Sequence, residues 1–507
     1  MNTLTDKTLR GGAWQFLSVI VQAVLQLLVI SVLARYVLPR EFGIIALAGI
    51  ATGFAHLLSD LGLGPALVQM KEINNTHIRV SFSFGILLAA FIYLILWIVA
   101  DPMAKFFNQT EVRSIIRIIS LSIPIGSFGL TAHSLLERNL RFKELFLVSF
   151  ISYLFGYVPV GLCLAIYDYG AWAIVGALLT QTFIACILLF RVCPHSVVPS
   201  LAWRELLELL TYGGGHTLSK VFNFGAQKGD YFVVGRFLGA DILGMYERAF
   251  RIMQLPGQYI GQVIFKVLFP AMARIQHQPL RLAKVYLSGL GIVNAILFPS
   301  SVVLIVLSPE LLLILLGPNW VDATLPLQIL LGGIAFRSTV GLSDSLSRAV
   351  GAVYQSAIRR AFYAIFVVLG SWVGHFWGLT GVAIGVNVAM MIHYFLMAGL
   401  SLKFIQNSWR RFFLCHVPGF FVGLMVLIVA APISIFLRST TAPAIIVFCS
   451  VNLIVGLVVI CVLIKFPNIL GRSNLWVLEL ILGESPLRHS RISKFVLLKL
   501  SVNKNNS

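Results

Sequence analysis

Charge is scarce in this sequence. The 507-residue chain holds 19 Asp and Glu and 38 Lys and Arg, and charged residues of both signs make up only 11% of it. That excludes an ordinary soluble domain, which carries about 25% charged residues. The six cysteines fall in or beside apolar runs with no CxxC spacing, so a cysteine zinc site or a redox pair is not expected, and the thiols read as packing residues. No GxxxxGK[ST] run occurs, which argues against ATP bound to this chain as a power source. Neither a nucleophile triad nor a metal-ligand cluster stands out, so no cofactor is expected. Loops are short throughout, leaving no room for a soluble catalytic domain.

What fills the chain instead is apolar: 58% of its residues are hydrophobic, 37 of them Phe, and the mean hydropathy is +0.92. Runs of about 20 apolar residues recur, each long enough to cross roughly 30 Å of hydrocarbon as a helix. The alternating segments of a membrane barrel are missing. The reading is an all-α polytopic membrane protein with about fourteen spans, near 11–34, 42–68, 79–100, 113–136, 144–166, 171–192, 213–235, 243–270, 285–308, 323–347, 357–376, 379–401, 412–437 and 442–464. The first is too long for a removable signal peptide and lacks a small-residue cleavage site after it, so it is expected to belong to the mature chain. A net charge of +19 raises nucleic acid as a partner, but the basic residues are spread over short loops and not gathered in a stripe. With the N-terminus inside, most of them fall in inner loops and tails (Lys71, Arg141, Lys143, Lys284, Arg359, Arg410), which is the positive-inside pattern and predicts both termini in the cytoplasm.

An internal repeat organises the chain. ARYVLPREFG (34–43) and GRFLGADILG (235–244) align without a gap, matching Arg35 to Arg236 and Gly43 to Gly244, and GAWAIVG (170–176) resembles GLTGVAIG (378–385). Six spans separate the copies, so the halves share one orientation. The expected organisation is an N-terminal six-helix lobe (1–192), an interfacial connector (193–211) and a C-terminal six-helix lobe (212–401). Two additional spans (402–465) and a basic cytoplasmic tail (466–507) follow. The lobes are expected to face each other around a central cavity. In the connector, Trp203, Leu206, Leu207 and Leu210 recur at helical spacing, as in a helix lying on the inner membrane surface.

Polar residues inside spans are costly, at roughly 3 kcal/mol for an ionised group at mid-membrane. Span seven nevertheless carries Lys220, Asn223, Gln227, Lys228 and Asp230 on one broad face, and span eight carries Glu247, Arg251, Gln254, Gln258 and Gln262 at helical spacing. Together they predict a long hydrophilic wall facing protein or water, either as structural glue between helices or as a binding surface. In span two, Asp60 precedes LGLGP (61–65), whose glycines and proline predict an unwound hinge; Asp60 is either the cap of that break or an ion site.

At these residues a family resemblance emerges. DYFVVGRFLGADILGMYERAF (230–250), continuing to Pro256, Phe269 and Pro270, resembles the D…GxxLGxxxLGxYxxA…P…P signature of Wzx-type polysaccharide flippases. DLGLGPALVQ (60–69) is similar to the matching first-lobe segment of the colanic-acid and succinoglycan exporter branch. The resemblance implies the two-lobe fold of the multidrug, oligosaccharidyl-lipid and polysaccharide exporter superfamily, in a bacterial inner membrane. It implies as substrate an oligosaccharide repeat unit on undecaprenyl diphosphate, with membrane lipid and the polysaccharide polymerase and chain-length machinery as further partners. A cationic cavity goes with such flippases, and Lys220, Lys228 and Arg251 are its candidates here. The chain departs from the pattern at Lys228, where relatives often carry Asn.

On this reading the cations hold the diphosphate, while Asn223, Gln227, Gln254, Gln258 and Gln262 bond sugar hydroxyls, since amides both donate and accept. Coupling to H⁺ or Na⁺ would run through Asp60, Asp230 or Glu247. A drug or cation antiporter of the related branch is the alternative, disfavoured because span one holds no acid and the wall is mainly basic. A glycan-transferring membrane enzyme would want acidic residues in sizeable outer loops, which this chain lacks.

Overall fold

The computed structural model describes residues 4–465, apart from the side chains of 4–13, 15, 16, 212–220, 222, 259–267 and 463–465. All regular elements among the described residues are helices. The described residues form two compact units: one of residues 4–247 and 315–322, the other of 248–314 and 323–465.

The first unit opens with α1 (Leu4–Tyr36) and α2 (Pro39–Asp60), separated by a turn that the sequence specifies. Pro39 sits at the first helical position, where its missing N–H costs nothing. Three residues after the extended Leu38, the Glu41 carboxylate accepts the Leu38 N–H at 2.8 Å. α2 stops at Asp60 because Leu61 and Gly62 both take left-handed backbone, with φ of 38° and 74°. Span two is therefore shorter than expected: the predicted hinge is a two-residue break, and the chain resumes as the short α3 (Leu63–Gln69). α4 (Asn75–Phe106) and α5 (Glu111–Ile119) are tied by Asp101, which accepts from Arg117 at 2.7 Å and from Arg113 at 3.3 Å. α6 (Ser122–Arg138) follows. α7 (Phe142–Phe155) and α8 (Leu162–Ile166) are joined by a π-helical turn containing Pro159, a residue with no N–H to give to an α-helical ladder. After α9 (Ala171–Val192), the amphipathic stretch expected as a separate surface helix proves to be the beginning of α10 (Trp203–Phe237), which runs unbroken for 35 residues. Gly239, at φ 90°, makes the turn into α11 (Ala240–Arg274), which continues through Pro256 and Pro270.

The second unit takes over within α11 and adds α12 (Pro279–Val306), α13 (Ser308–Leu315), α14 (Thr324–Gly332), α15 (Ile334–Ala349), α16 (Val353–Gly374), α17 (Gly378–Ile405), α18 (Trp409–Leu414), α19 (Val417–Ser439) and α20 (Ala444–Lys465). α16 and α17 touch backbone to backbone: a methyl on Gly370 would lie 2.6 Å from the Gly385 carbonyl oxygen, and Gly374 meets Gly381 in the same way one turn on. Such small-residue seams let membrane helices gain dispersion contact where water supplies no hydrophobic drive. Tyr286, Leu342, Tyr394 and Phe412 make up the heart of this unit.

Among the described residues, ten helical segments are long and apolar enough to cross a membrane, or eleven if the bent pair 318–332 and 334–349 is one broken span. The expected fourteen is thus not reached among the described residues. Val353–Ile405 qualifies as one stretch although it contains both α16 and α17. α10 and α11 are not among the ten, since each contains side chains outside the described residues; their described parts carry Lys228, Asp230, Glu247, Arg248 and Arg251. Ile98, Ile428 and Leu453 are each at least 65% exposed, as expected of side chains whose solvent is lipid.

Candidate functional site

In the first unit, the polar face of α10 holds Asn223 and Lys228 half-buried and Gln227 exposed. Asp230 lies deeper, 1% exposed. Its Oδ2 accepts the Tyr246 hydroxyl proton at 2.7 Å, and its Oδ1 accepts the Tyr231 N–H at 2.9 Å. Tyr246 is on the first turns of α11, so this carboxylate staples α10 to α11 across the Gly239 turn. The Lys228 ammonium stands 3.8 Å from the centroid of the Tyr231 ring, and that ring meets Tyr246 edge-on at 5.8 Å. The face of an aromatic ring stabilises a cation without neutralising it. Glu247 is buried next in line.

In the second unit, α11 continues with Arg251 exposed, Gln254 half-buried and Gln258 exposed. The Gln258 amide donates to the Gln254 carbonyl oxygen at 3.0 Å, one helical turn away, leaving each amide further groups to offer. The side chains of Lys220 and Gln262 lie outside the described residues.

Two basic residues were missed in the sequence. Arg248 is buried at 8% exposure among the charges of α11, and Arg337 on α15 sits over the Phe250 ring at 4.9 Å. Arg248 was legible as a neighbour of Glu247, but it lies off the Glu247–Arg251–Gln254 spacing; for Arg337 the sequence offered no signal, since its partner is 87 positions away by number.

Asp60 is engaged locally: its Oδ1 lies 3.4 Å from the Gly64 N–H at the start of α3. The other end of α3 is held by Arg138 of α6, which donates to the carbonyls of Leu67 at 2.8 Å, Met70 at 2.6 Å and Lys71 at 2.9 Å. The broken segment is thus capped at both ends, which fits Asp60 as a structural cap. Among the described residues no group of three or more His, Cys, Asp or Glu could hold a metal ion.

Helices dominated by lipid-facing apolar surface, among them α10 and α11 with their cations and amides, define a multi-pass membrane protein. Residues 32–325 match the family described as polysaccharide biosynthesis protein, a stretch that includes both copies of the repeat, and the chain belongs to that family. It is 23% identical over 455 residues to the lipopolysaccharide biosynthesis protein WzxC of Escherichia coli (strain K12), covering 87% of this chain and 90% of that one. It is 27% identical over 322 residues to the succinoglycan biosynthesis transport protein ExoT of Rhizobium meliloti (strain 1021), covering 63% of this chain and 65% of that one. The resemblance to Wzx-type flippases of the colanic-acid and succinoglycan group therefore holds. Among solved structures, the lipid II flippase MurJ in an inward closed conformation matches with a TM-score of 0.72 at 15% identity, over 91% of this chain and 99% of that one. That likeness is one of fold.

Proposed function

We propose that this chain translocates undecaprenyl-diphosphate-linked oligosaccharide repeat units across the bacterial inner membrane by alternating access, for cell-surface polysaccharide synthesis. The observation that carries the reading is the set of cations and amides on α10 and α11, in a chain of the polysaccharide biosynthesis family. A diphosphate joined to sugars cannot enter hydrocarbon unless other groups replace its water. Lys228 and Arg251, with Lys220, bind the diphosphate. Asn223, Gln227, Gln254, Gln258 and Gln262 bond the sugar hydroxyls. The polyprenyl tail stays in lipid. Asp60, Asp230 and Glu247 are the carboxylates through which coupling to an ion would run. Both termini face the cytoplasm, and the polymerase and chain-length machinery receive the product outside.

The test is charge reversal. In cells making the glycan, Lys228→Glu and Arg251→Glu should each abolish surface polysaccharide while lipid-linked repeat units accumulate on the inner leaflet, with the protein at normal membrane levels. Normal export by both variants would remove the proposal's physical basis.

A further inference from the structure

The two copies of the repeat meet each other. A methyl on Gly43 would overlap the Ala240 carbonyl, and a methyl on Gly244 would overlap the Pro39 carbonyl. Pro39 and Ala240 hold the same place in the two copies, as do Gly43 and Gly244, so the contact is reciprocal: the glycine of each copy rests on the first helical residue of the other.

A second pair of contacts obeys the same exchange. Phe107, at the end of α4, is 2% exposed; its ring packs edge-on against Phe232 at 5.4 Å and lies 3.4 Å from where a methyl on Gly235 would sit. Its neighbour Phe106 lies under the Arg236 guanidinium at 5.1 Å. Trp320 is fully buried; it donates its indole N–H to the Ala34 carbonyl at 3.0 Å and meets Phe42 edge-on at 5.3 Å. Ala34 corresponds to Gly235 and Arg35 to Arg236. Phe107 lies in the loop after the third long helix of the first half, and Trp320 in the loop region after the third long helix of the second half. Each half of the sequence thus seats an aromatic on the other half's copy of the repeat, and residues 315–322 belong to the first unit for that reason.

We propose that these exchanged contacts, at the α1–α2 and α10–α11 turns and so on the outer side under the topology proposed above, form a latch: it fixes one of the two access states and must part in the other. The inference rests on the transport reading, since only a protein that alternates needs such a device. Its physical basis is that the glycine contacts are backbone on backbone and admit no gradual loosening: packed surfaces switch between discrete arrangements. Trp320 adds a bond that Phe107 cannot make, so it is the stronger arm.

Val37, buried at 1% exposure in the α1–α2 turn, reports the state. Val37→Cys is placed in the full chain with its native cysteines kept as the labelling baseline. Cells lacking the glycan pathway are treated with a membrane-impermeant maleimide. Adding Trp320→Ala should speed labelling of Cys at position 37 roughly tenfold, as expected if the ratio of open to latched molecules rises by about that factor. Trp320→Phe, which keeps the ring and loses the N–H, should give a smaller increase at full membrane level, and it supplies the answer should Trp320→Ala not accumulate. Gly244→Ala should also accelerate labelling. Unchanged rates in the variants that accumulate, or labelling confined to inside-out vesicles, would overturn the latch. Because no cargo is present, such a failure leaves the transport reading intact, whereas normal export by the Lys228 and Arg251 reversals sinks that reading and not the labelling result.

Discussion

Tyr246 donates its phenolic proton to Asp230 across 2.7 Å, with both side chains shut away from solvent. A buried carboxylate that loses one of its donors is left with part of its desolvation uncompensated. Tyr246→Phe should therefore lower the stability of the detergent-purified protein by about 1–3 kcal/mol, seen as a reduced thermal unfolding midpoint. Asp230→Asn separates two roles: if Asp230 only staples α10 to α11, the variant keeps its dependence on the transmembrane ion gradient, whereas a coupling residue loses that dependence while export continues or stops.

Arg138 should be the more costly residue at the broken second span. Arg138→Ala strips the last turn of α3 of a charged donor shared by several carbonyls, for a loss of about 3 kcal/mol, and the variant should be depleted from the membrane. Asp60→Asn retains an oxygen able to accept the Gly64 N–H, so protein level and export should both stay near normal. Export lost at a normal level would instead mark Asp60 as an ion-coupling residue.

Glu310 on α13 is buried and receives two bonds from Arg438, at 2.7 and 2.8 Å. Arg438→Ala leaves that carboxylate without its cation and should cost about 2–3 kcal/mol, at the low end for a buried pair because Arg438 stays partly exposed. Arg438→Ala with Glu310→Gln should recover part of the loss in the same unfolding assay. An unchanged midpoint in the single variant would show the pair to be dispensable.

Topology follows from the basic loops. Reporter fusions after Lys143, Lys284 and Ser507 should all report cytoplasm, and an external signal at Lys284 would break the parallel relation of the repeats.

The apolar runs were legible because period and length survive in one dimension, and so were both copies of the repeat, since a turn built on Pro39 or Gly239 is a local matter. The polar residues of α10 and α11 were legible as outliers against apolar neighbours. What bonds to them was not: Tyr246 as the partner of Asp230 and Arg138 as the clamp of α3 depend on contacts between helices. Trp320 is the extreme case, with its acceptor 286 positions away. The continuity of α10 was hidden for another reason, in that an amphipathic run and the polar face after it look like separate elements although one helical ladder serves both.

The crossing of Gly43 and Gly244 has the form of an interface between identical subunits, each offering the other the same pair of surfaces. Two glycines and two aromatic side chains bury far less than the roughly 1,200 Å² that holds separate proteins together. Because both copies ride on one polypeptide, the chain itself sets their effective concentration, and meeting costs little translational freedom. Covalent fusion thus makes usable a contact too weak to form a dimer: one that can close without help and let go without the partners drifting apart.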